Sequence, residues 1–521
     1  MQHTLARLID HSHPFVFTAS IFFTVLTAIG CASRLPTAFP DTSITAALDA
    51  SALGQTKRFL DNTLHAPPLE TTLWGIDVRS IDRDEQIYTN NPDMLLTPAS
   101  TQKVITLAVA SQALGWDDRF ETTLFTNGHI ERNVLYGDLI VKGSGDPTID
   151  TDVLSSWVDK LRTQGIHRVT GNIIGDDRIT VGQDLQRRGT PSPPQLGFGW
   201  SWDDLAFGFS APAGPLQYQE NVVAIQITPS RTVGTLAELT IQTKGSGLKL
   251  VNQVITAAGT NPSLIELHRV ANTRNLVVSG SICLGSSVVV RSVSVANPTS
   301  FFVQAFLAAL EADGVAVLGD AIDIDQLSET QRDLATNGLY ALLTTQSEPL
   351  STIAIEMMKR SQNLFAESIY RRLGFSFNDS SSAIVAQVLA DWGIQSNRAV
   401  IVDGSGLSRY NYLTASALTD ILVRLYQNEV DQTRFLPTLP IANEDGTLRN
   451  RFGGTATAGN ALAKTGSMSH VRALAGYVTT ADGEQLAFSI LANNYSADPT
   501  DVVTAIDAFV SALATMSRGD S

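Results

Sequence analysis

Pro98-Ala99-Ser100-Thr101-Gln102-Lys103 opens the stretch on which the reading of this chain turns. From Ser100 to Leu114 the apolar residues recur at helical spacing, and Gly115 stands where such a helix stops. A serine and a lysine at i and i+3 share one helical face, so the amine can reach the hydroxyl. A serine hydroxyl is a poor nucleophile until a base takes its proton. Lysine can be that base only when burial or nearby positive charge lowers its pKa. At the first turn of a helix the backbone N–H of Ser100 also has no helical partner and can face an oxyanion. Alone, S-x-x-K says little, since a chain of this length carries about one or two by chance.

Two more short motifs follow in order. Ser361-Gln362-Asn363 falls inside a second helical pattern, Leu350 to Arg372, which Gly374 closes. Lys464-Thr465-Gly466-Ser467 is rarer, expected by chance in about one such chain in ten. It precedes Ala473 to Val478, which alternates and faces Gln485 to Leu491 across Asp482-Gly483, a hairpin signal. Glycine at a strand edge lets a ligand approach the backbone. Leu73 to Arg79 alternates like a half-buried strand, and Asp501 to Met516 sets Val502, Ile506, Phe509 and Leu513 on one helical face. Between these ends, from about Thr122 to Asp325, the character changes. Leu139-Ile140-Val141, Ile173-Ile174, Val222 to Ile227, Leu248 to Ile255 and Val288 to Val295 read as short strands separated by turn residues. The expected class is α+β: a helix-and-sheet body split by a large β-rich insertion.

Composition narrows the function. Hydrophobic residues make up 43% of the 521 and charged ones 17%, which excludes an intrinsically disordered chain. The net charge of −15 repels polyanions, so nucleic acid is not an expected partner. Cys31 and Cys283 cannot make a disulfide framework, and neither a zinc pattern nor H-E-x-x-H is present, so no metal site is expected. No G-x-S-x-G elbow supports a Ser-His-Asp triad. Residues 1–31 read as a targeting segment: Phe15 to Gly30 is uncharged, too short for a comfortable membrane span, and ends at Cys31. Ordinary cleavage near Cys31 and lipid attachment at Cys31 both fit. Either way the mature body is expected outside the cytoplasm, touching the membrane only through the signal or a Cys31 anchor.

The order S-x-x-K, S-x-N, K-T-G is the signature of the penicillin-binding and serine β-lactamase superfamily. A first gap of 261 residues and a second of 103 are far from a class A β-lactamase. They resemble the penicillin-binding protein 4 type D-alanyl-D-alanine carboxypeptidases/endopeptidases, peptidase family S13. Gly137-Asp138-Leu139, Gly143 to Thr148, Gly199 to Asp204, Ser361 to Glu367 and Asp403 to Arg409 carry the same likeness. Gln362 replaces the usual Asp and Ser144 a usual Gly.

The resemblance implies a β-lactamase/transpeptidase-like catalytic domain from residues 45–118 and 325–517. It also implies an inserted domain over 119–324 with a third nested at about 225–295. It implies Ser100 as nucleophile, Lys103 as its base, Ser361 and Lys464 as the proton relay to the leaving amine, and Asn363 orienting substrate and Lys103. Thr465, Gly466 and Ser467 would bind the substrate backbone and carboxylate, and Trp200 and Asp203 a stem side-chain ammonium. The implied partners are peptidoglycan stem peptides and β-lactams, the site of action is the periplasm or extracytoplasmic envelope, and no cofactor is implied. A non-catalytic stem-binding lipoprotein would tolerate loss of Ser100 or Lys103, and both are present. A β-lactamase-like hydrolase would differ only in fast deacylation.

Overall fold

The computed structural model describes residues 52–178, 196–241, 243, 245–259, 263–271 and 273–518; the Phe15–Gly30 run and Cys31 lie outside the described residues. Leu73–Ser80 forms a strand, as its alternation predicts, but with both faces buried. It sits second in a five-stranded antiparallel sheet ordered Glu85–Asn90, Leu73–Ser80, Gln485–Asn493, Val471–Thr479, Leu462–Met468. The hairpin around Asp482-Gly483 joins Val471–Thr479 to Gln485–Asn493, with Gly483 at φ 88°. Period-two alternation then divides the side chains. Leu474, Val478, Leu486, Phe488 and Ile490 face the helices Ala52–His65 and Pro499–Thr515, meeting Leu60, Leu64, Ile506, Phe509 and Leu513. Ala475, Tyr477 and Ala487 face the other way, toward Gln102–Ala113, Leu350–Lys359 and Ala415–Gln427. Each fully buried Leu, Ile or Phe in these layers contributes about 1.5–3 kcal/mol relative to exposure.

The insertion carries all the strands its sequence suggests, but it is not built of strands alone. Helices Thr151–Thr163 and Pro298–Ala312 stack Trp157 against Phe302 and Phe306, with ring centroids 6.0 and 5.6 Å apart. Their signals were in the sequence: Asp150 caps the first, accepting from the Val153 N–H, and Pro298 begins the second. A mixed five-stranded sheet runs Ala321–Asp323, Ile173–Asp176, Leu139–Gly143, Glu121–Thr126, Tyr340–Gln346. Two three-stranded sheets, made between residues 222 and 294, share its hydrophobic core through Ile225, Val254 and Val278.

The expected boundary near 325 stops short of this module. Tyr340–Gln346 pairs with Glu121–Thr126, and Trp157 Nε1 donates to Thr345 Oγ1 at 2.7 Å, so the module continues to residue 346. Among the described residues no helix is long and apolar enough to cross a membrane.

Candidate active site

The helix that begins at the S-x-x-K motif has a 3-10 turn, Ala99–Thr101, followed by Gln102–Ala113. Thr101 Oγ1 donates to the Pro98 carbonyl at 2.7 Å and ties the turn together. Ala99, fully buried, is held at φ 48°, a left-handed conformation that costs a non-glycine residue about 1–3 kcal/mol. One turn on, Lys103 Nζ donates to Ser100 Oγ at 2.9 Å, to Asn363 Oδ1 at 2.7 Å and to the Ser405 carbonyl at 2.8 Å. Lys103 is wholly buried. Burial lowers its pKa to about 7 against the opposing pull of Asp403 and Glu367. In the unprotonated form that this shift favours, the amine keeps two protons for Asn363 and Ser405 and turns its lone pair to the Ser100 hydroxyl, the state a base needs.

The second motif corrects the sequence reading. Leu350 to Arg372 is not one helix: Leu350–Lys359 ends, and Asn363–Phe377 begins, on either side of the Ser361-Gln362 turn. The second helix passes Gly374 and ends at Asn378, which takes the left-handed conformation. Ser361 stands at φ 56°, which no continuous helix accommodates. The break is what aims the motif, bringing Ser361 Oγ within 2.8 Å of Lys464 Nζ. It is held from the insertion. Arg360 donates to both oxygens of Glu220, at 2.8 and 3.3 Å, and the Gln362 amide also donates to Glu220. Glu220 lies in the turn Gln219–Asn221, all three residues of which have positive φ.

Lys464 lies on the edge strand Leu462–Met468 and is fully buried. Its pKa is pushed well down, first by burial and then by the neighbouring Lys103. Its amine also donates to the Thr465 carbonyl at 2.9 Å. Gly466 is obligatory by contact: a Cβ there would sit 2.8 Å from the Pro98 carbonyl oxygen. Its absence lets the strand lie against the start of the nucleophile's helix. Ser467, exposed, and Thr465 line a cavity of about 550 Å³ together with Ser100, Ser361 and Asn363. Thr465 Oγ1 donates to Thr447 Oγ1 at 2.7 Å, and Thr447 joins the lining from the short turn Gly446–Leu448.

Behind Lys103 the Asp403 to Arg409 loop is fastened by two buried carboxylates. Asp403 accepts from the N–H groups of Gly406 (2.9 Å) and Ser408 (2.6 Å) and from Asn411 Nδ2 (2.7 Å). Glu367 accepts from the N–H groups of Gly404 (3.1 Å) and Ser405 (2.9 Å). Gly406, at φ 82°, passes so close to Ala99 that a Cβ would lie 1.9 Å from its carbonyl oxygen.

The Gly199 to Asp204 segment reaches this site, though not through the residues expected. Trp200 Nε1 donates to Asp403 Oδ2 at 3.0 Å, so Trp200 supports the loop and does not line the cavity. Asp203 is exposed and outside the lining; its neighbour Asp204 is half-buried and lines it, with Phe209 and Arg409. The two aspartates are adjacent in the tight turn Trp202–Asp204, so their side chains diverge. The Asp204 carboxyl is raised overall, first by burial, with Arg409 opposing and Asp203 adding to the rise. Thr447 and Phe209 belong to no spaced motif, and Arg409, although it closes the Asp403 to Arg409 stretch, carries no local sign that its side chain faces the cavity.

Two buried lysines meet two serines here, and among the described residues no histidine lines the cavity. With the antiparallel sheet behind them, they place the fold among the active-site-serine enzymes of the penicillin-binding class. The profile of the D-Ala-D-Ala carboxypeptidase 3 (S13) family matches residues 56–515, and the chain belongs to that family. It is 28% identical over 431 residues to the D-alanyl-D-alanine carboxypeptidase DacB of Haemophilus influenzae, covering 81% of this chain and 85% of that one. It is 30% identical over 466 residues to a D-alanyl-D-alanine carboxypeptidase of an Actinomadura species, covering 86% and 83%. The crystal structure of penicillin binding protein 4 from Haemophilus influenzae matches with a TM-score of 0.76 at 26% identity, over 88% of this chain and 99% of that chain.

Proposed function

We propose that the chain is a serine D-alanyl-D-alanine carboxypeptidase/endopeptidase that cleaves peptidoglycan stem peptides through an acyl-enzyme at Ser100, and that penicillin acylates the same serine. The observation that carries the reading is the wholly buried Lys103 amine, 2.9 Å from Ser100 Oγ.

Neutral Lys103 takes the Ser100 proton as Oγ attacks the D-alanyl carbonyl, and the N–H groups of Ser100 and Ser467 receive the oxyanion. The leaving amine takes its proton from the Ser361 hydroxyl, which is refilled from Lys464, and Lys464 is refilled in turn with the proton that its neighbour Lys103 took from Ser100. Asn363 steadies the Lys103 amine with its carbonyl, while its amide donates to the Phe209 carbonyl at 2.8 Å and fixes that wall of the cavity. The Thr465, Ser467 and Thr447 hydroxyls take the substrate carboxylate. Water then attacks the acyl-enzyme; Lys103, neutral again, takes its proton and returns it to Ser100 Oγ as the acyl bond breaks. Asp204 beside Phe209 suits the ammonium of a diaminopimelyl side chain, and Arg409 its carboxylate. Residues 119–346 act as an inserted domain, with the 222–294 sheets nested in it.

Mass spectrometry of the purified protein with penicillin, then with cross-linked muropeptides, tests this reading. An adduct on Ser100 and release of D-alanine or of cross-linked stems are expected; an adduct elsewhere, or one retained in Ser100→Ala, overturns it. The chain works in the cell envelope outside the cytoplasm. Cys31 is proposed as a lipid anchor, and equal solubility of wild type and Cys31→Ser on fractionation would remove that anchor.

A further inference from the structure

The mechanism gives no task to a buried acid on the helix that carries Asn363. Glu367 is 2% exposed and lies one turn along the Asn363–Phe377 helix from Asn363, on the same face. One of its oxygens accepts the backbone N–H groups of Gly404 and Ser405. The same Ser405 presents its carbonyl to Lys103 Nζ at 2.8 Å. Asn363 and Glu367 thus reach the catalytic amine from one helix face: Asn363 directly, Glu367 through the backbone of Ser405.

We propose that Glu367 is a positioning residue for Lys103: its carboxylate anchors Ser405, whose carbonyl holds the amine, and supplies the negative charge against which the amine exchanges its proton. This rests on the assignment of Lys103 as the base.

Three features support it. By accepting two N–H bonds from consecutive residues Glu367 anchors Ser405 on its N-terminal side, while the Gly406 N–H, in the same peptide unit as the Ser405 carbonyl, is held by Asp403 at 2.9 Å; the carbonyl cannot turn away without straining both buried ties. The charged and titratable groups facing Glu367 are Asp403 from the loop, Lys103 from the neighbouring helix, and Tyr370 and Arg371 from its own helix; Lys103 itself is also faced by Lys464 from the edge strand. Burial and Asp403 push Glu367 up to about 7, with Arg371 opposing, into the range where Lys103 titrates. Glu367 in turn raises Lys103, so removing its charge leaves the lysine easier to deprotonate. Asp403 accepts four hydrogen bonds from the loop, Asn411 and Trp200, one of them from the Gly406 N–H beside the Ser405 carbonyl, so it fastens the whole loop and Glu367 is the acid to change without dismantling it.

The test is the pH dependence of the second-order rate of penicillin acylation by the full chain. In wild type the rate climbs as Lys103 loses its proton, through about pH 7. Glu367→Gln keeps an oxygen for the two N–H groups and removes the charge. Its acid limb is expected to move to lower pH by about one unit. Glu367→Asp keeps the charge but draws the oxygen back from Gly404 and Ser405. Its limb should stay in place while the plateau falls about tenfold. A Glu367→Gln variant that loses plateau without moving its limb overturns the proposal. So does a Glu367→Asp variant whose limb falls, and that arm decides the matter even where the Gln variant fails to fold. If wild type shows no limb near neutrality, the assignment of Lys103 as base fails first, and the two failures are told apart.

Discussion

Replacing Asp204 by asparagine removes the acid of the cavity lining while leaving its size and its acceptor oxygen nearly unchanged. The side chain is half-buried, faces Arg409, and shares the wall with Phe209. A hydrogen bond to a charged group contributes about 1.5–3 kcal/mol, and partial exposure argues for the lower half of that range. At about 1.4 kcal/mol per tenfold, Asp204→Asn should therefore lower kcat/KM by roughly ten- to fortyfold. That loss is expected only for stem peptides whose side chain ends in a free ammonium. The same peptides with that amine acetylated should lose about twofold or less, and so should penicillin acylation, since neither presents the cation. Asp203→Asn is the internal control: its exposed carboxylate lies outside the lining and should change nothing measurable. The assay is D-alanine release from the matched peptide pair, with acylation by a chromogenic β-lactam followed alongside. Equal losses on the free-amine peptide and on penicillin would refute the reasoning and make Asp204 a support of the fold. A selective loss in Asp203→Asn instead would mean that the turn presents its other aspartate in solution.

Lys103→Arg should abolish penicillin acylation, because a guanidinium stays charged at any working pH; near-normal acylation would show that another group takes the Ser100 proton. Gly406→Ala should destabilise the protein by more than about 1 kcal/mol, read as a lower urea midpoint, since its φ of 82° and the 1.9 Å approach to Ala99 both oppose a side chain. An unchanged midpoint would mean that the loop has room to move. Trp200→Phe, which loses the hydrogen bond to Asp403 but keeps an aromatic ring, should slow stem-peptide and penicillin acylation alike, by about three- to tenfold. A loss confined to ammonium-bearing peptides would instead return Trp200 to the substrate wall.

What could be read from the chain alone was whatever local pattern decides. Period-two alternation around Asp482-Gly483 is a sufficient cause of the hairpin, and the K-T-G strand follows as its neighbour. Lysine three residues after serine is likewise enough to bring amine to hydroxyl. The break at Ser361 was not legible, because the residues on both sides favour helix and the turn is held by partners far away, Lys464 and Glu220. Asp203 and Asp204 could not be separated from sequence, since which of two adjacent acids faces inward depends on the pitch of a three-residue turn. Glu367 and Asp403 lay in quoted motifs, yet nothing local says that their oxygens fasten one loop. The helices Thr151–Thr163 and Pro298–Ala312 are different: their caps and apolar stripes were visible, and the surrounding glycine-rich strands drew the reading away from them.

The bond between Gln362 and Glu220 joins residues 142 positions apart, one from the catalytic turn and one from the inserted module. Its consequence is a constraint on inheritance. An aspartate at 362 would lose the amide bond and bring a second carboxylate toward Glu220, with Arg360 alone to balance both, so the two positions are expected to change together. Anyone exchanging segments between relatives meets the same rule. A chimera that takes residues 360–363 from a donor with aspartate at 362 should express and yet acylate slowly. One that also takes residues 219–221 from that donor should recover, and the insertion would then count as part of the catalytic apparatus in the currency of recombination.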